Sequence, residues 1–178
     1  MKGSIVQCLE ELVVARFGKE AWETVLQRAG VKTGAMFLPF QDVDDSLVKK
    51  MIAAVCDTLH LSLPQAANAF GEHWITVYSQ RFYAQYYAKY HTAKEFFLGL
   101  DAIHVAMTKN IPNAKPPQFD FEWKTDTTLI LHYTSQRGLI DFVVGLAKGV
   151  GTFYHEDLQI KKLSNEAVEI YFCSASSV

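Results

Sequence analysis

Two hydrophobic periods divide the chain. Ahead of Pro112, apolar residues recur every three to four positions, as on a helix with one buried face. Past Pro117, apolar and polar residues alternate, as on a half-buried strand. Ile5, Leu9, Leu12 and Val13 form the first helical stripe, closed by Gly18, and a second helix runs from about Lys19 to Gly30. A loop with Gly34 and Pro39 leads to a helix carrying Val48, Met51, Ile52 and Val55, capped by Asp42 or Asp44. Ser62 and Gln65 have capping-box spacing with Pro64 in the first turn, and open a helix through Phe70, Trp74, Val77 and Tyr78. Thr92 and Glu95 repeat the box. They open one helix that stops before Pro112, because a residue preceding proline is pushed out of the helical region.

Phe119, Phe121 and Trp123 alternate with Asp120, Glu122 and Lys124, which predicts a strand over 118–124. Further strands are expected at 128–135, 156–163 and 167–173, with turns at Thr125-Asp126 and Ser164-Asn165. A helix at 138–150 separates the second strand from the third. Its run GLAKGVG lacks the ending of a phosphate loop and reads as a closely packed helix tail with a glycine stop. The fold class is α+β: a helical part, then a small antiparallel sheet with one helix packed on it. The last strand closes almost at the end of the sequence, so one domain over 1–178 is expected.

Composition narrows the function classes. A chain of 178 residues that is 49% apolar can bury a core, and a net charge of −2 offers no electrostatic footprint for nucleic acid. The amphipathic start, broken by Glu10 and Glu11, reads as neither a signal peptide nor a membrane span. Cys8, Cys56 and Cys173 are scattered and odd in number, which argues against a disulfide framework or a cysteine-rich zinc site. A reduced, cytoplasmic setting is expected.

Two features carry chemistry. His104 has Phe97, Leu100 and Met107 at helical spacing. It is either a core histidine bonded to a carbonyl or a metal ligand. Nothing nearby supplies the further ligands that zinc needs, so a bound metal would bring its own, as haem does. Tyr133, Ser135 and Arg137 lie two residues apart and would share one side of a strand end. They are either solvated strand-edge residues or a set of donors for carboxylates, with which arginine forms bidentate pairs. Haem, an apolar disc with two carboxylates on one edge, would complement both features. The similar letters at Tyr78, Ser79 and Arg81 fall on a helix, where Tyr78 reads as packing and Arg81 as a solvated helix end. Ile5 with Leu9, Trp74 with Tyr78, and Phe142 with Leu146 are apolar pairs that could be core or pocket wall.

These features together resemble the H-NOX family, the haem nitric oxide/oxygen-binding domain, over the whole chain. The start MKGSIV, His104 within LDAIHVAMTKNIPNAKPP, and the motif YTSQR at 133–137 carry the resemblance. It implies one haem b per chain between a distal helical part (about 1–62) and haem-cradling helices and sheet (about 63–178). His104 would bind the iron, and Tyr133, Ser135 and Arg137 the propionates, with Asp45 bracing Arg137. Pro117 and Ile5 would press on the macrocycle from opposite sides. Leu9, Trp74, Tyr78, Leu100, Phe142 and Leu146 would complete the pocket. Oxygen-binding members carry a tyrosine nine residues after the motif tyrosine; here that position is Phe142. Without that donor, worth roughly 1.5–3 kcal/mol to a polarised ligand, nitric oxide and carbon monoxide are the expected ligands. Trp74 and Tyr78 are the remaining candidate donors; if either reaches the ligand, the chain binds oxygen instead. A zinc cluster found in some members is not expected from Cys173 and His155 alone. Nitric oxide would break the Fe–His104 bond and signal to a histidine kinase or diguanylate cyclase in trans, as in bacterial stand-alone members. No catalysis, nucleic acid or membrane partner is implied. A haem enzyme, or a haem-free module for an apolar carboxylate ligand, are the competing readings.

Overall fold

The computed structural model describes residues 1–113 and 115–173. Helices α1 (Gly3–Phe17), α2 (Lys19–Arg28), α3 (Asp45–Leu59) and α4 (Leu63–His73) form the N-terminal part. Asp44 caps α3 by accepting from the backbone N–H groups of Ser46 and Leu47; Asp42 instead pairs with Lys2. The Ser62–Gln65 capping box is complete. Buried side chains of α1 to α4, among them Val6, Leu12, Leu26, Val48 and Met51, make one core cluster.

Beyond His73 the helix widens into a π-helical turn, Trp74–Tyr78, before α5 (Gln80–Tyr87). The Ser79 N–H bonds the Trp74 carbonyl at 2.9 Å. Gln80 Nε2 donates to the Ile75 carbonyl at 2.7 Å. A single period across 63–78 concealed this insertion, which rotates the residues after it around the helix axis.

The long helix expected up to Pro112 is two, α6 (Ala93–Leu98) and α7 (Leu100–Thr108). They meet at Gly99, where a Cβ would lie 2.0 Å from the Tyr90 hydroxyl. Thr92 accepts from the Glu95 N–H, but the Glu95 carboxylate bonds the N–H of His91, so this cap is half a box.

Strands β1 (Gln118–Thr125), β2 (Thr128–Thr134), β3 (Leu158–Lys162) and β4 (Ala167–Phe172) form one antiparallel sheet in the order β1-β2-β4-β3. Helix α8 (Ile140–Tyr154) crosses between β2 and β3. It runs past Gly151, where a stop was expected, and ends at His155 in the left-handed region (φ 56°). Leu129, Leu131, Val168 and Ile170 of the sheet share a second core cluster with α5 to α8.

α8 and α4 meet backbone to backbone. A Cβ on Gly145 would lie 2.0 Å from the Ala67 carbonyl oxygen, and one on Gly71 would lie 2.0 Å from the Gly145 carbonyl carbon. Among the described residues, no helix is long and apolar enough to cross a membrane.

Gly145→Ala must force the two helices apart. Overpacking of this kind costs about 1–3 kcal/mol, so the melting midpoint should fall by at least about 3 °C. An unchanged midpoint in thermal denaturation would show that the helices separate without cost.

Candidate functional site

A cavity of about 350 Å³ opens between the two core clusters, lined by α1, α4, the π turn and α8 together with α7, β1 and β2. That size lies within the range of small-molecule pockets. Its wall is mostly apolar. Ile5, Trp74, Leu100, Pro117, Phe142 and Leu146, all expected there, line it. Phe142 meets Phe70 edge-on (5.2 Å, 68°), and Phe70 stacks on Trp74 at 5.9 Å. These three rings come from α4, the π turn and α8, and the close helix crossing sets their spacing.

His104 is a polar residue in that wall. Its Nδ1 is buried and has no hydrogen-bond partner among the described residues. Its ring stacks on Phe119 at 5.5 Å and 24°, which fixes the imidazole plane. Burial holds its pKa below the usual histidine value, with Asp101 a partial offset, so the ring is kept neutral. A histidine satisfied by a carbonyl would show a partner on that nitrogen. A neutral imidazole left unpartnered in an apolar wall is costly alone, but it is a competent metal donor.

The polar trio sits at the cavity mouth, though not on one strand face as expected. β2 ends at Thr134, and Ser135 and Arg137 belong to the turn that follows. Gly138 closes that turn at φ 63°, a conformation that disfavours side chains. Ser135 Oγ accepts from the Arg137 N–H at 3.3 Å, and the Tyr133 hydroxyl accepts from the Leu139 N–H at 3.3 Å. Each hydroxyl therefore keeps its own proton to donate. Arg137 Nε bonds Asp45 at 3.0 Å and Nη1 bonds the Lys115 carbonyl at 2.6 Å, leaving further N–H groups on the guanidinium. Partial burial pulls the Asp45 carboxyl upward, but the amino terminus and Arg137 outweigh it and hold it below the usual range. All three residues of the trio line the cavity. An apolar slot with an unpartnered imidazole in its wall and a donor set at its mouth fits a haem.

Two residues expected in the pocket are not in its lining. Leu9 is buried in the helical core. Tyr78 stacks on Trp74 at 5.2 Å and donates its hydroxyl to Gln7 Oε1 at 2.8 Å. Burial pushes its pKa up to about 12. Arg81 is not a free solvated end; both terminal nitrogens bond the Glu11 carboxylate, which His73 also contacts at 3.1 Å.

Several lining residues escaped sequence reasoning, notably Ile75, Tyr83, Tyr87 and Phe119. Phe119 was visible as an inward strand position. Tyr83 and Tyr87 were not, because the π turn shifts the phase of everything after it. The Tyr87 hydroxyl is taken by Ser79 at 2.8 Å.

Comparison with known proteins gives one family model, Haem-NO-binding, matching residues 2–162. The soluble guanylate cyclases gcy-32 and gcy-34 of Caenorhabditis elegans are each 27% identical over 154 residues, which is 84% of this chain. The chain spans 22% of the length of these relatives. Among solved structures, an H-NOX protein from S. oneidensis in the Fe(II)NO ligation state superposes with a TM-score of 0.87 at 20% identity, covering 98% of this chain and 100% of that one. A Cs H-NOX mutant carrying 4-cyano-L-phenylalanine at site 5 gives 0.86 at 22% identity, covering 98% and 97%. At that identity the structures establish a shared fold.

Tyr78→Phe should lower stability by about 1 kcal/mol, because Gln7 Oε1 loses its donor. The absorbance spectrum of the cofactor-loaded protein, in nitrogen and in air, should match wild type. A changed spectrum in air would mean that the phenol reaches the bound ligand.

Proposed function

We propose that this chain, which belongs to the haem-NO-binding family, holds one haem b in the cavity through His104 and senses nitric oxide. The family's domain binds haem and serves as a gas sensor, and no catalytic step is assigned to it. The observation that carries the reading for this chain is His104, which lines a mostly apolar cavity with its Nδ1 buried and unpartnered among the described residues. Tyr133, Ser135 and Arg137 would hold the propionates, since they line the mouth and retain unused donors. When bound, the haem supplies a ferrous iron that takes nitric oxide or carbon monoxide.

His104 is the chain's own hold on that iron. Its ring lies against Phe119 of β1, so with haem bound α7 would be held both by that stack and by the iron. Ile5 and Pro117 line the cavity from different elements and shape whatever disc lies between them. A ligand shifts an equilibrium between two states only through unequal interaction with them, and His104, bonded to the iron in one and free in the other, would supply that inequality. Residues 1–62 would then move relative to 63–178, and a separate histidine kinase or diguanylate cyclase would read the change.

Phe142 decides ligand choice. It offers no hydrogen-bond donor, its ring is packed on Phe70, and Tyr78 is committed to Gln7. Polarised dioxygen gains nothing from these groups. An oxygen-binding reading rests on Trp74 and Tyr83, which line the cavity and carry N–H and O–H groups.

The absorbance spectrum of reduced, oxygen-free protein tests both readings. A haem Soret band should shift on adding nitric oxide and stay unshifted, before slow oxidation, on adding air. A stable shift in air would assign the chain to oxygen. Phe142→Tyr should raise oxygen affinity by about tenfold or more, and no gain would mean that position 142 does not face the ligand.

A mutant at the ligand tests the switch itself. Haem-loaded His104→Gly, without gas, should show the α7 hydrogen-exchange rates of wild type treated with nitric oxide. Rates equal to the unliganded wild type would sink the mechanism.

A further inference from the structure

The segment after α7 carries Pro117 into the cavity wall on its way to β1. Two cations moor its backbone from outside. Arg137 Nη1 donates to the Lys115 carbonyl, and Lys2 Nζ donates to the Pro112 carbonyl, each at 2.6 Å. Each cation is held in turn by a carboxylate at or just before the start of α3: Arg137 by Asp45 at 3.0 Å, and Lys2 by Asp42 at 2.5 Å. Asn113, in the left-handed region at φ 56°, donates to the other oxygen of Asp42 at 3.4 Å. Asparagine tolerates that conformation better than most residues. Lys2 and Asp42 also pair through their backbones as an isolated antiparallel bridge. The Arg137 half of this arrangement belongs to the site already described. The Lys2 half is independent of the propionate motif.

Three facts set Lys2 apart from an ordinary surface lysine. Its side chain is only 18% exposed. Its ammonium bonds two segments separated by some seventy positions, Asp42 and Pro112. Lys2 itself lines the cavity, as do Asp42 and Asn113. An exposed ion pair contributes little to global stability. A cation that joins a carboxylate to a carbonyl on a loop acts instead on where that loop sits.

We propose that Lys2, fixed by Asp42, is a positioning residue that clasps the start of α1 to the exit of α7 and so holds Pro117 at the cavity wall. Through this clasp the helix of His104 and the helix of Ile5 are tied by a contact that bypasses the haem. Loosening it lets Pro112, Asn113 and Pro117 drift from the cavity, so a bound haem is pressed less and held less firmly. This rests on haem occupying the cavity.

The test uses Lys2→Met, which keeps the apolar stem and removes the charge, Lys2→Arg, which restores a cation, and Asp42→Asn, which releases Lys2. Haem-loaded proteins are mixed with excess apomyoglobin to time haem loss, and out-of-plane haem modes are read by resonance Raman. Hydrogen exchange is followed at the Ile111, Asn113 and Lys115 amides. Lys2→Met should speed haem loss by about twofold to fivefold, the range of a weak ion pair. It should also weaken the out-of-plane modes and speed exchange at those three amides. Asp42→Asn should move each readout the same way, and Lys2→Arg should return them toward wild type. Asp42→Asn carries the test alone if Lys2→Met does not fold. Unchanged haem loss, Raman modes and exchange in a haem-binding variant overturn the clasp alone. A wild type with no Soret band overturns the haem reading and the clasp with it.

Discussion

Helices α4 and α8 touch without side chains between them at Gly71 and Gly145, and the rest of the molecule is arranged around that contact. Close approach leaves no room for adjustment between the two backbones, so residues one turn along each helix are fixed relative to one another. Phe70 and Trp74 on one side and Phe142 and Leu146 on the other then face a common space. The same contact joins the two core clusters, since Phe142 of α8 packs with the helical cluster while its neighbour Val143 packs with the sheet cluster. Cores filled to native density move in discrete steps. A pocket built on such a joint has residues of both clusters in its wall.

Electrostatics divides the cavity into two ends. The wall around His104 is apolar, and burial keeps that imidazole neutral and available. The mouth concentrates Lys2, Asp42, Asp45 and Arg137, whose charges are mutually paired. Paired cations with donors to spare can receive an anion without first breaking their existing bonds. The soft, apolar demands of a macrocycle and the charged demands of its carboxylates are thus met by different segments. α7 and α8 serve the first, and the turn after β2 with the start of α3 and the stretch before it serves the second.

Much of this was legible in residue order. Capping at Ser62, the strand signalled by alternation from Phe119, and the succession of helices and strands appear in the structure because they depend on neighbours a few positions apart, although Trp123 ends exposed. Three features were not legible. The π turn at Trp74–Tyr78 leaves no mark on hydrophobic spacing, so Tyr83 and Tyr87 entered the lining unannounced. At the break, Gly99 makes room for Tyr90, packed from outside the helix. The trio at 133–137 converges through a turn closed by Gly138 rather than through strand alternation, so the residues were rightly grouped for a reason the backbone does not follow.

The sequence by itself determined the α+β order of elements, the solitary histidine on an apolar helix and the donor set at the end of β2, and through its resemblance the family. These rest on local periods and on residue types, which a chain carries before it folds. Tertiary structure alone decided that Tyr78 turns to Gln7 rather than to the pocket, that Leu9 is core, and that Lys2 reaches Pro112. Which partner a polar group finds depends on segments dozens of positions away. A buried donor must take whichever acceptor the packed fold puts within reach, and only the assembled core determines which one that is.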